Sequence, residues 1–142
     1  MSGNRSFVDS NVLVYAHDAT AGDKRDRAHA LLAELWESRE GCLSVQVLQE
    51  FFVTVTRKIP KPLDTDSAAQ AIADFSRWRV HSPDASDVLG AIDIHRRQKI
   101  SFWDGMIVRS AARLGCAKLY SEDLSPGQDY EGVEVRNPFA MT

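Results

Sequence analysis

Apolar positions along the chain follow two patterns, short runs and longer stretches with helical spacing. Between residues 23 and 38, for example, Ala28, Leu31 and Leu35 recur three to four positions apart, as on one face of a helix. Strands are predicted at residues 5–9, 42–45, 79–81, 118–121 and 133–135. Helices are predicted at residues 11–17, 23–38, 47–57, 64–78, 84–98 and 101–114. Strands that alternate with helices indicate an α/β domain whose mainly parallel central sheet is flanked by helices on both faces.

Individual residues mark where several of these elements begin and end. Ser10 is the predicted N-cap of helix 11–17, and Asp64 or Thr65 can cap the helix that follows the prolines. Gly41 and Gly115 are predicted to stop the helices that precede them. On helix 84–98 the predicted apolar side comprises Val88, Leu89, Ala91, Ile92 and His95.

Length and composition fit one globular domain. The chain has 142 residues, 44% hydrophobic and 26% charged, without an internal repeat, a low-complexity tract or a linker. We therefore expect residues 1–142 to form a single domain with its own core. No apolar run is long enough to span a membrane, and no secretory leader is recognisable at the N-terminus. Cys42 and Cys116 have neither metal-ligand nor disulfide-framework spacing, so we expect buried thiols and a cytoplasmic protein.

The formal net charge of −3 excludes a protein that coats nucleic acid through bulk positive charge. It leaves room for a local basic rim around an acidic pocket. The candidates for such a rim are Arg57, Lys58, Lys61, Arg96, Arg97 and Lys99. Taken one by one, these side chains are interpreted as solvated helix ends, where Lys and Arg complement the helix dipole.

The chemistry of the chain is concentrated in acidic residues that lie among apolar neighbours. Asp9 and Asp123 follow predicted strands, Glu50 lies in the first turns of the helix after the second strand, and Asp104 opens a further helix. Strand carboxyl ends and helix N-termini share one rim of a parallel sheet, where such sheets bind ligands. We therefore expect these four acids to converge.

Each acid also has a purely structural interpretation. Asp104 is placed to complete a capping box with Ser101, Asp123 could be a turn residue, Glu50 an exposed helix residue, and Asp9 a helix cap. Carboxylates in apolar surroundings are costly to ionise without a counter-charge, and the four motifs contain no Lys or Arg. As a set, the four acids therefore favour a divalent metal ion and a metal-dependent phosphodiesterase.

Histidine and tryptophan are weaker candidates for the chemistry. No two of His17, His29, His81 and His95 have ligand spacing on one predicted element, so a zinc site is not expected. His95 is interpreted as a core or boundary residue. Trp103 could stack a nucleobase, but a buried anchor for the start of its helix is the favoured interpretation.

The acidic motifs resemble those of the PIN-domain ribonucleases, and in particular the VapC-like toxins of toxin–antitoxin pairs. The resemblance lies in residues 7–15, 44–51, 101–104, 119–124 and 137–139. It implies a PIN-like fold and a cytoplasmic endoribonuclease dependent on Mg²⁺, with Mn²⁺ as a substitute, that leaves a 5′-phosphate and a 3′-hydroxyl. It also implies an antitoxin partner and a homodimer. Gly105 departs from the pattern, where Ala is expected, and Gly weakens a helix by about 1 kcal/mol relative to Ala.

The resemblance assigns roles to individual residues. Asp9, Asp104 and Asp123 take the positions of direct or water-mediated metal ligands. Glu50 takes the position of a ligand to a second ion or of a residue that orients the attacking water. Asn11 and Ser121 take the positions of polar residues that support the site from behind the ligands.

Two other classes of function remain open. An aspartyl-phosphate phosphohydrolase of the haloacid dehalogenase kind also carries an Asp after its first strand. That class requires a second Asp two residues later, where Asn11 stands, and a late lysine, whereas Lys118 precedes its strand. The other alternative is a non-catalytic module that binds metal or RNA without cleavage.

A partner surface is predicted from apolar residues in excess of what a small domain buries. It comprises Leu31, Leu35 and Trp36 together with Phe51, Phe52 and Val55. The antitoxin is expected to lay an apolar face there.

Overall fold

The computed structural model describes residues 4–140, which form six helices and a six-stranded sheet. The strands are β1 (Ser6–Val8), β2 (Gly41–Ser44), β3 (Arg79–His81), β4 (Lys118–Tyr120), β5 (Asp129–Tyr130) and β6 (Val133–Arg136). The helices are α1 (Ser10–His17), α2 (Asp23–Ser38), α3 (Val45–Arg57), α4 (Thr65–Phe75), α5 (Ala85–Gln98) and α6 (Phe102–Arg113). None of these helices is both long and apolar enough to cross a membrane.

The sheet has the strand order β3-β2-β1-β4-β6-β5. All neighbouring strands are parallel except β5, which pairs antiparallel with β6. The chain steps outward from β1 to β2 to β3 and then returns across the sheet to β4. Because crossover connections are right-handed, α1–α4 and α5–α6 lie on opposite faces. The predicted α/β fold with a mainly parallel sheet is confirmed.

The core lies around the central strand β1, whose residues are fully or almost fully buried. Phe7 and Val8 have no exposed surface, and neither do Leu13 of α1, Phe51 of α3 and Val108 of α6. Burial of each such side chain stabilises the fold by about 1.5–3 kcal/mol. The buried strand β1 therefore holds the backbone in place up to Val8, directly before Asp9.

Some element boundaries differ from those predicted. Helix α4 ends at Phe75 rather than residue 78, and β5 was not predicted. Gly41 was wrongly predicted as a helix stop. Helix α2 ends at Ser38, and its C-cap residue is Arg39, which adopts the left-handed conformation (φ 62°). Gly41 is the first residue of β2. A Cβ atom on Gly41 would lie 2.5 Å from the ring of Trp78, so glycine is required there for packing.

Helix starts also differ, and two of the differences concern the acidic motifs. Asp9, not Ser10, is the N-cap of α1, and its side chain accepts a hydrogen bond from the Ser10 N–H. Helix α3 begins at Val45, and the Ser44 hydroxyl accepts from the Val47 N–H as its cap. Helix α4 follows Asp64 as its N-cap residue, although no side-chain cap bond forms.

The buried side of α5 was predicted correctly at Ala91 but wrongly at Val88 and Leu89, which are 39% and 68% exposed. The buried residues of the helix are Asp87, Ala91 and Ile94. Asp87 accepts a hydrogen bond from Arg109 (2.9 Å) of α6. Apolar periodicity could not reveal this orientation, because an ion pair between two helices sets it.

A cluster of charges surrounds Asp87, which is 1% exposed. Besides Arg109, Arg113 of α6 lies 2.8 Å from its carboxylate and Nε2 of His81 lies 3.3 Å away. Burial opposes ionisation of this carboxyl, but the Asp84 capping contact and the Arg109 hydrogen bond outweigh it and lower the pKa of Asp87 to about 2. The cluster fixes α6, which carries Asp104, against α5.

Gly105 of α6 lies against the backbone of α5. A Cβ atom on Gly105 would lie 2.7 Å from the carbonyl oxygen of Ala91. That oxygen belongs to the backbone and cannot rotate away. The glycine that departs from the family pattern therefore has a packing function.

We predict that Gly105→Ala destabilises the protein, although alanine favours a helix by about 1 kcal/mol. The clash with Ala91 is expected to outweigh that gain, since overpacking costs about 1–3 kcal/mol. Urea unfolding of both proteins measures the difference. Gly90→Ala on α5 should also cost stability, because its added methyl would lie 2.8 Å from the guanidinium of Arg109, which bonds to Asp87. A stabilised Gly105→Ala variant would contradict the packing argument.

Candidate active site

The four predicted acids line one pocket of about 550 Å³ at the carboxyl edge of the parallel strands. Asp9 follows β1, Asp123 lies shortly after β4, Glu50 lies on α3 and Asp104 lies in the first turn of α6. The expected convergence is therefore present in the structure. The pocket lies between α3 and α6, whose residues supply most of its other walls.

Asp9 is the most buried of these acids, with 4% of its surface exposed. Its carboxylate accepts hydrogen bonds from the Ser10 N–H at 2.7 Å and from the Ser121 hydroxyl at 2.8 Å. Burial raises the pKa of Asp9 to about 7, and these two hydrogen bonds oppose the shift. The negative charges of Glu50 and Asp123 also contribute to the raised pKa.

Ser121 and Asn11 tie the end of β4 to the start of α1. The fully buried Ser121 hydroxyl donates to Asp9 and accepts from the Asp123 N–H at 3.1 Å. Asn11 donates from Nδ2 to the Asp123 carboxylate at 3.2 Å and accepts from the Glu122 N–H at 3.3 Å. Both residues thus contact acids of the pocket, as their predicted supporting position requires.

Glu50 is held from two sides. Its carboxylate accepts from the Ser10 hydroxyl at 3.1 Å and from Nε2 of Gln46 at 3.2 Å. The same Gln46 nitrogen lies 3.2 Å from the carbonyl oxygen of Trp103, which precedes Asp104. Gln46 therefore connects the helix that carries Glu50 to the helix that carries Asp104.

Asp104 has both a capping contact and a place in the pocket. Its backbone N–H donates to the Ser101 hydroxyl at 3.0 Å, so Ser101 is the N-cap of α6. Its carboxyl group is half-buried and lines the pocket. Burial raises the pKa of Asp104, its Ser101 hydrogen bond lowers it, and the charge of Asp123 raises it. The cap explains the start of the helix but leaves the carboxylate available to a ligand.

The donor set of the pocket fits a hard divalent cation. All four acids offer oxygen, and in the described part of the chain Asp9 has no basic partner despite its burial. Among residues 4–140, however, no three His, Cys, Asp or Glu side chains are grouped closely enough to hold one ion. Mg²⁺ retains several waters and usually takes only one or two carboxylates, so it does not require such a closed group.

Sequence reasoning missed two polar residues of this site, Ser10 and Gln46, which contact Glu50. Lys58, one of the candidates for a basic rim, lines the same pocket. The position of Gln46, four residues before Glu50 on one helix, could have identified it. Lys58 had been interpreted as a solvated helix end, and only the fold shows which pocket it borders.

Two aromatic interpretations need correction. Trp103 was predicted as a buried anchor, but it is 62% exposed and lines the pocket. His95 was predicted at the core or its boundary, but it is exposed, with Nδ1 2.5 Å from the Ile100 carbonyl. His17 packs against Phe51 and lies outside the acidic pocket.

Comparison with known proteins identifies the family. The PIN domain family model matches residues 6–125. No curated protein sequence matches the chain. Solved structures with the same fold include Mycobacterium tuberculosis VapC20, described as a Sarcin-Ricin loop cleaving toxin, at 21% identity and a TM-score of 0.63 over 83% of this chain and 89% of that one.

Two complexes with DNA are also similar. FitAB bound to an IR36 DNA fragment has a chain with 19% identity and a TM-score of 0.73, over 96% of this chain and 97% of that one. DNA-bound VapBC from Salmonella typhimurium has a chain with 16% identity and a TM-score of 0.64, over 95% and 98%. At these identities the structures show the fold, while the match of the family model covers most of the sequence. The chain belongs to the PIN domain family.

Proposed function

We propose that this protein is a Mg²⁺-dependent endoribonuclease and the toxin component of a toxin–antitoxin pair that acts in the cytoplasm. The observation that carries the proposal is the convergence of Asp9, Glu50, Asp104 and Asp123 on one pocket of a PIN domain. Similar solved structures include the toxin VapC20 and a DNA-bound VapBC. The family assignment also argues against an aspartyl-phosphate phosphohydrolase.

Asp9, Asp104 and Asp123 would hold the metal ion directly or through its bound waters, with Glu50 as a ligand to a second ion or the group that orients the attacking water. When bound, Mg²⁺ or Mn²⁺ would supply a water of lowered pKa and neutralise charge that builds up on the scissile phosphate. Ser121 fixes the orientation of Asp9, and Asn11 fixes that of Asp123. These hydrogen bonds reduce the rearrangement needed when a cation binds.

RNA is the proposed substrate because the family resemblance implies it, and one similar structure is described as a Sarcin-Ricin loop cleaving toxin. The expected products are a 5′-phosphate and a 3′-hydroxyl. The alternative is a PIN module that binds metal or RNA without cutting it. All four acids are present in the pocket, which favours the enzyme.

We predict that RNA cleavage requires Mg²⁺ or Mn²⁺ and is lost in Asp9→Asn, Asp104→Asn and Asp123→Asn. Each substitution removes a charge that would bind the cation, and rates should fall by at least about 100-fold, as is typical when a group that supports the transition state is removed. Gel analysis of a labelled RNA with and without EDTA measures this.

Glu122→Gln is the matched control for these variants. Glu122 is the neighbour of Asp123, but its carboxylate bonds to Tyr15 and Lys24 and does not line the pocket. Its removal should leave cleavage within a few-fold of wild type. Full activity in EDTA, or equal loss in the control, would refute the metal site. RNA binding without cleavage by pure wild type would favour the non-catalytic alternative.

We predict that the metal-free protein loses stability as pH rises. The folded pKa of Asp9 is about 7 against 3.8 for the free group, so between these values the native state binds more protons than the unfolded chain. The free energy of unfolding should therefore fall as pH rises from about 4 through about 7, by at most about 4 kcal/mol. Asp9→Asn should flatten this dependence, although it abolishes activity.

Urea unfolding in EDTA at several pH values gives the free energy of unfolding of both proteins. The difference between the two values isolates Asp9, because the contributions of other titrating groups cancel. Excess Mn²⁺ should stabilise wild type at pH 8, by about 2.7 kcal/mol at 100 times the dissociation constant, and stabilise Asp9→Asn much less. Glu37→Gln, an exposed acid outside the pocket, is the charge-matched control. Parallel pH profiles for wild type and Asp9→Asn would show that Asp9 is ionised at neutral pH in the folded protein.

The partner surface predicted from sequence must be redrawn. Leu35, Phe51 and Val55 are buried in the core and cannot contact another protein. Trp36 is 38% exposed and borders a groove of about 690 Å³ between α2 and α4. The floor and walls of the groove are largely apolar, with Leu32, Leu63, Ala71 and Phe75 among its lining residues.

We propose that a segment of the antitoxin lays an apolar face into this groove. Similar folds occur in toxin–antitoxin complexes such as VapBC from Salmonella typhimurium and VapBC2 from Rickettsia felis, which has a chain of 17% identity and a TM-score of 0.65 over 93% of this chain and 97% of that one. Apolar grooves of this size are typical binding sites for an amphipathic helix. A homodimer is also proposed, on the family resemblance alone.

We predict that Trp36→Glu weakens antitoxin binding by at least about tenfold, because it places a charge against an apolar partner surface. Ala33→Arg tests the same groove from an exposed position on α2, so it should leave the core intact. Leu89→Glu, at an exposed position of α5, is the control, and this variant should bind the antitoxin normally. Calorimetric titration of the antitoxin into each folded variant gives the affinities. Unchanged binding by both groove variants would place the partner elsewhere.

A further inference from the structure

Trp103 is placed unusually for a tryptophan. It is 62% exposed, although burial of an indole stabilises a fold strongly, and it lines the acidic pocket next to Asp104. Its backbone position is fixed, because it lies in the first turn of α6 and its carbonyl accepts from Gln46 at 3.2 Å. Its ring meets that of Phe102 edge-on at 5.0 Å. The structure thus places an exposed indole at the site.

The negative charge of the pocket explains why an exposed aromatic ring would help it to bind RNA. Four carboxylates line it, and Lys58 is the one basic residue among the described lining residues. An RNA backbone is repelled by that surface until a cation is bound, so phosphate contacts alone cannot supply the affinity. Stacking of a base on an aromatic ring does not depend on this charge, and it is available for every base.

We propose that Trp103 is the stacking platform for an unpaired RNA base next to the scissile phosphate, with the exposed side chain of Val53 as further apolar lining. The proposal rests on the proposed function and narrows its substrate to single-stranded RNA. A base within a duplex is already stacked on both sides and cannot lie against the indole. The pocket of about 550 Å³ lies within the usual size range of small-ligand sites.

Binding of labelled RNA 12-mers, with Ca²⁺ in place of Mg²⁺, tests the proposal by fluorescence anisotropy. Trp103→Leu, which retains an apolar side chain but has no ring, should raise the dissociation constant for single-stranded RNA by about tenfold or more. Trp103→Phe retains a ring and should stay within about threefold of wild type. Leu89→Ala removes an exposed apolar side chain outside the pocket and should have no effect.

A double-mutant cycle separates stacking from a general loss of affinity. The RNA is made with one abasic nucleotide, moved along the oligomer position by position. In wild type one position should weaken binding, and in Trp103→Leu the same position should have no further effect, because the two changes remove one contact. Full additivity of the two losses would overturn the proposal.

Other outcomes are also decisive. Trp103→Leu that binds single-stranded RNA as tightly as wild type overturns the proposal. So does a loss of affinity that tracks a changed oligomeric state in sedimentation, because Trp103 would then contact a protein. Cleavage assays in Mg²⁺ on the same variants separate the two hypotheses. If all Trp103 variants cleave RNA as wild type does, the stacking proposal is refuted and the nuclease proposal stands. If RNA binding depends on the ring of Trp103 but no protein cleaves, the nuclease proposal is refuted and the stacking contact stands.

Discussion

The carboxylate of Asp9 is the constraint on which the rest of the site depends. It lies at the end of the buried strand β1 and caps α1. It also accepts a hydrogen bond from the buried hydroxyl of Ser121. A charge in that position is disfavoured, and burial raises the pKa of Asp9 to about 7. The core around β1 stabilises the fold enough to tolerate this cost. The arrangement holds the carboxylate of Asp9, a proposed metal ligand, in a fixed orientation, while Asp123 lies exposed at the rim of the pocket.

Asp104 reaches the same pocket through a separate set of interactions. Helix α6 is fixed against α5 by the ion cluster of Asp87 with Arg109 and Arg113, and by the close contact at Gly105. Only the Asp87 end of these ion pairs is buried, since Arg109 and Arg113 are partly exposed, and removal of either arginine would leave a buried carboxylate with fewer partners. Gln46 then bridges α3 to the first turn of α6. The positions of Glu50 and Asp104 therefore depend on side chains that make no contact with a substrate phosphate in the proposed mechanism.

Much of this could be predicted from the sequence, and the failures have identifiable causes. Periodicity and strand-end placement located the α/β fold and the convergence of the acids, because both depend on local pattern and on one rule of parallel sheets. The orientation of α5 could not be predicted, since Asp87 turns toward arginines that lie more than twenty residues later in the chain. Gly41 was wrongly interpreted, and the packing function of Gly105 was not recognised, because only tertiary structure brings Trp78 and Ala91 close to these glycines. Exposure of Trp103 was missed for the same reason.

Stability and function are opposed at this edge of the sheet. A protein selected for stability alone would replace Asp9 with a neutral hydrogen-bonding residue, because like charges and burial both disfavour its carboxylate. Retention of the acid is explained if a cation compensates it whenever the protein is active. The exposed indole of Trp103 follows the same logic, since its burial would stabilise the fold but remove an apolar contact from a pocket otherwise rich in negative charge. In the proposed mechanism, both features are costs to the fold that a bound cation and a bound RNA strand would compensate.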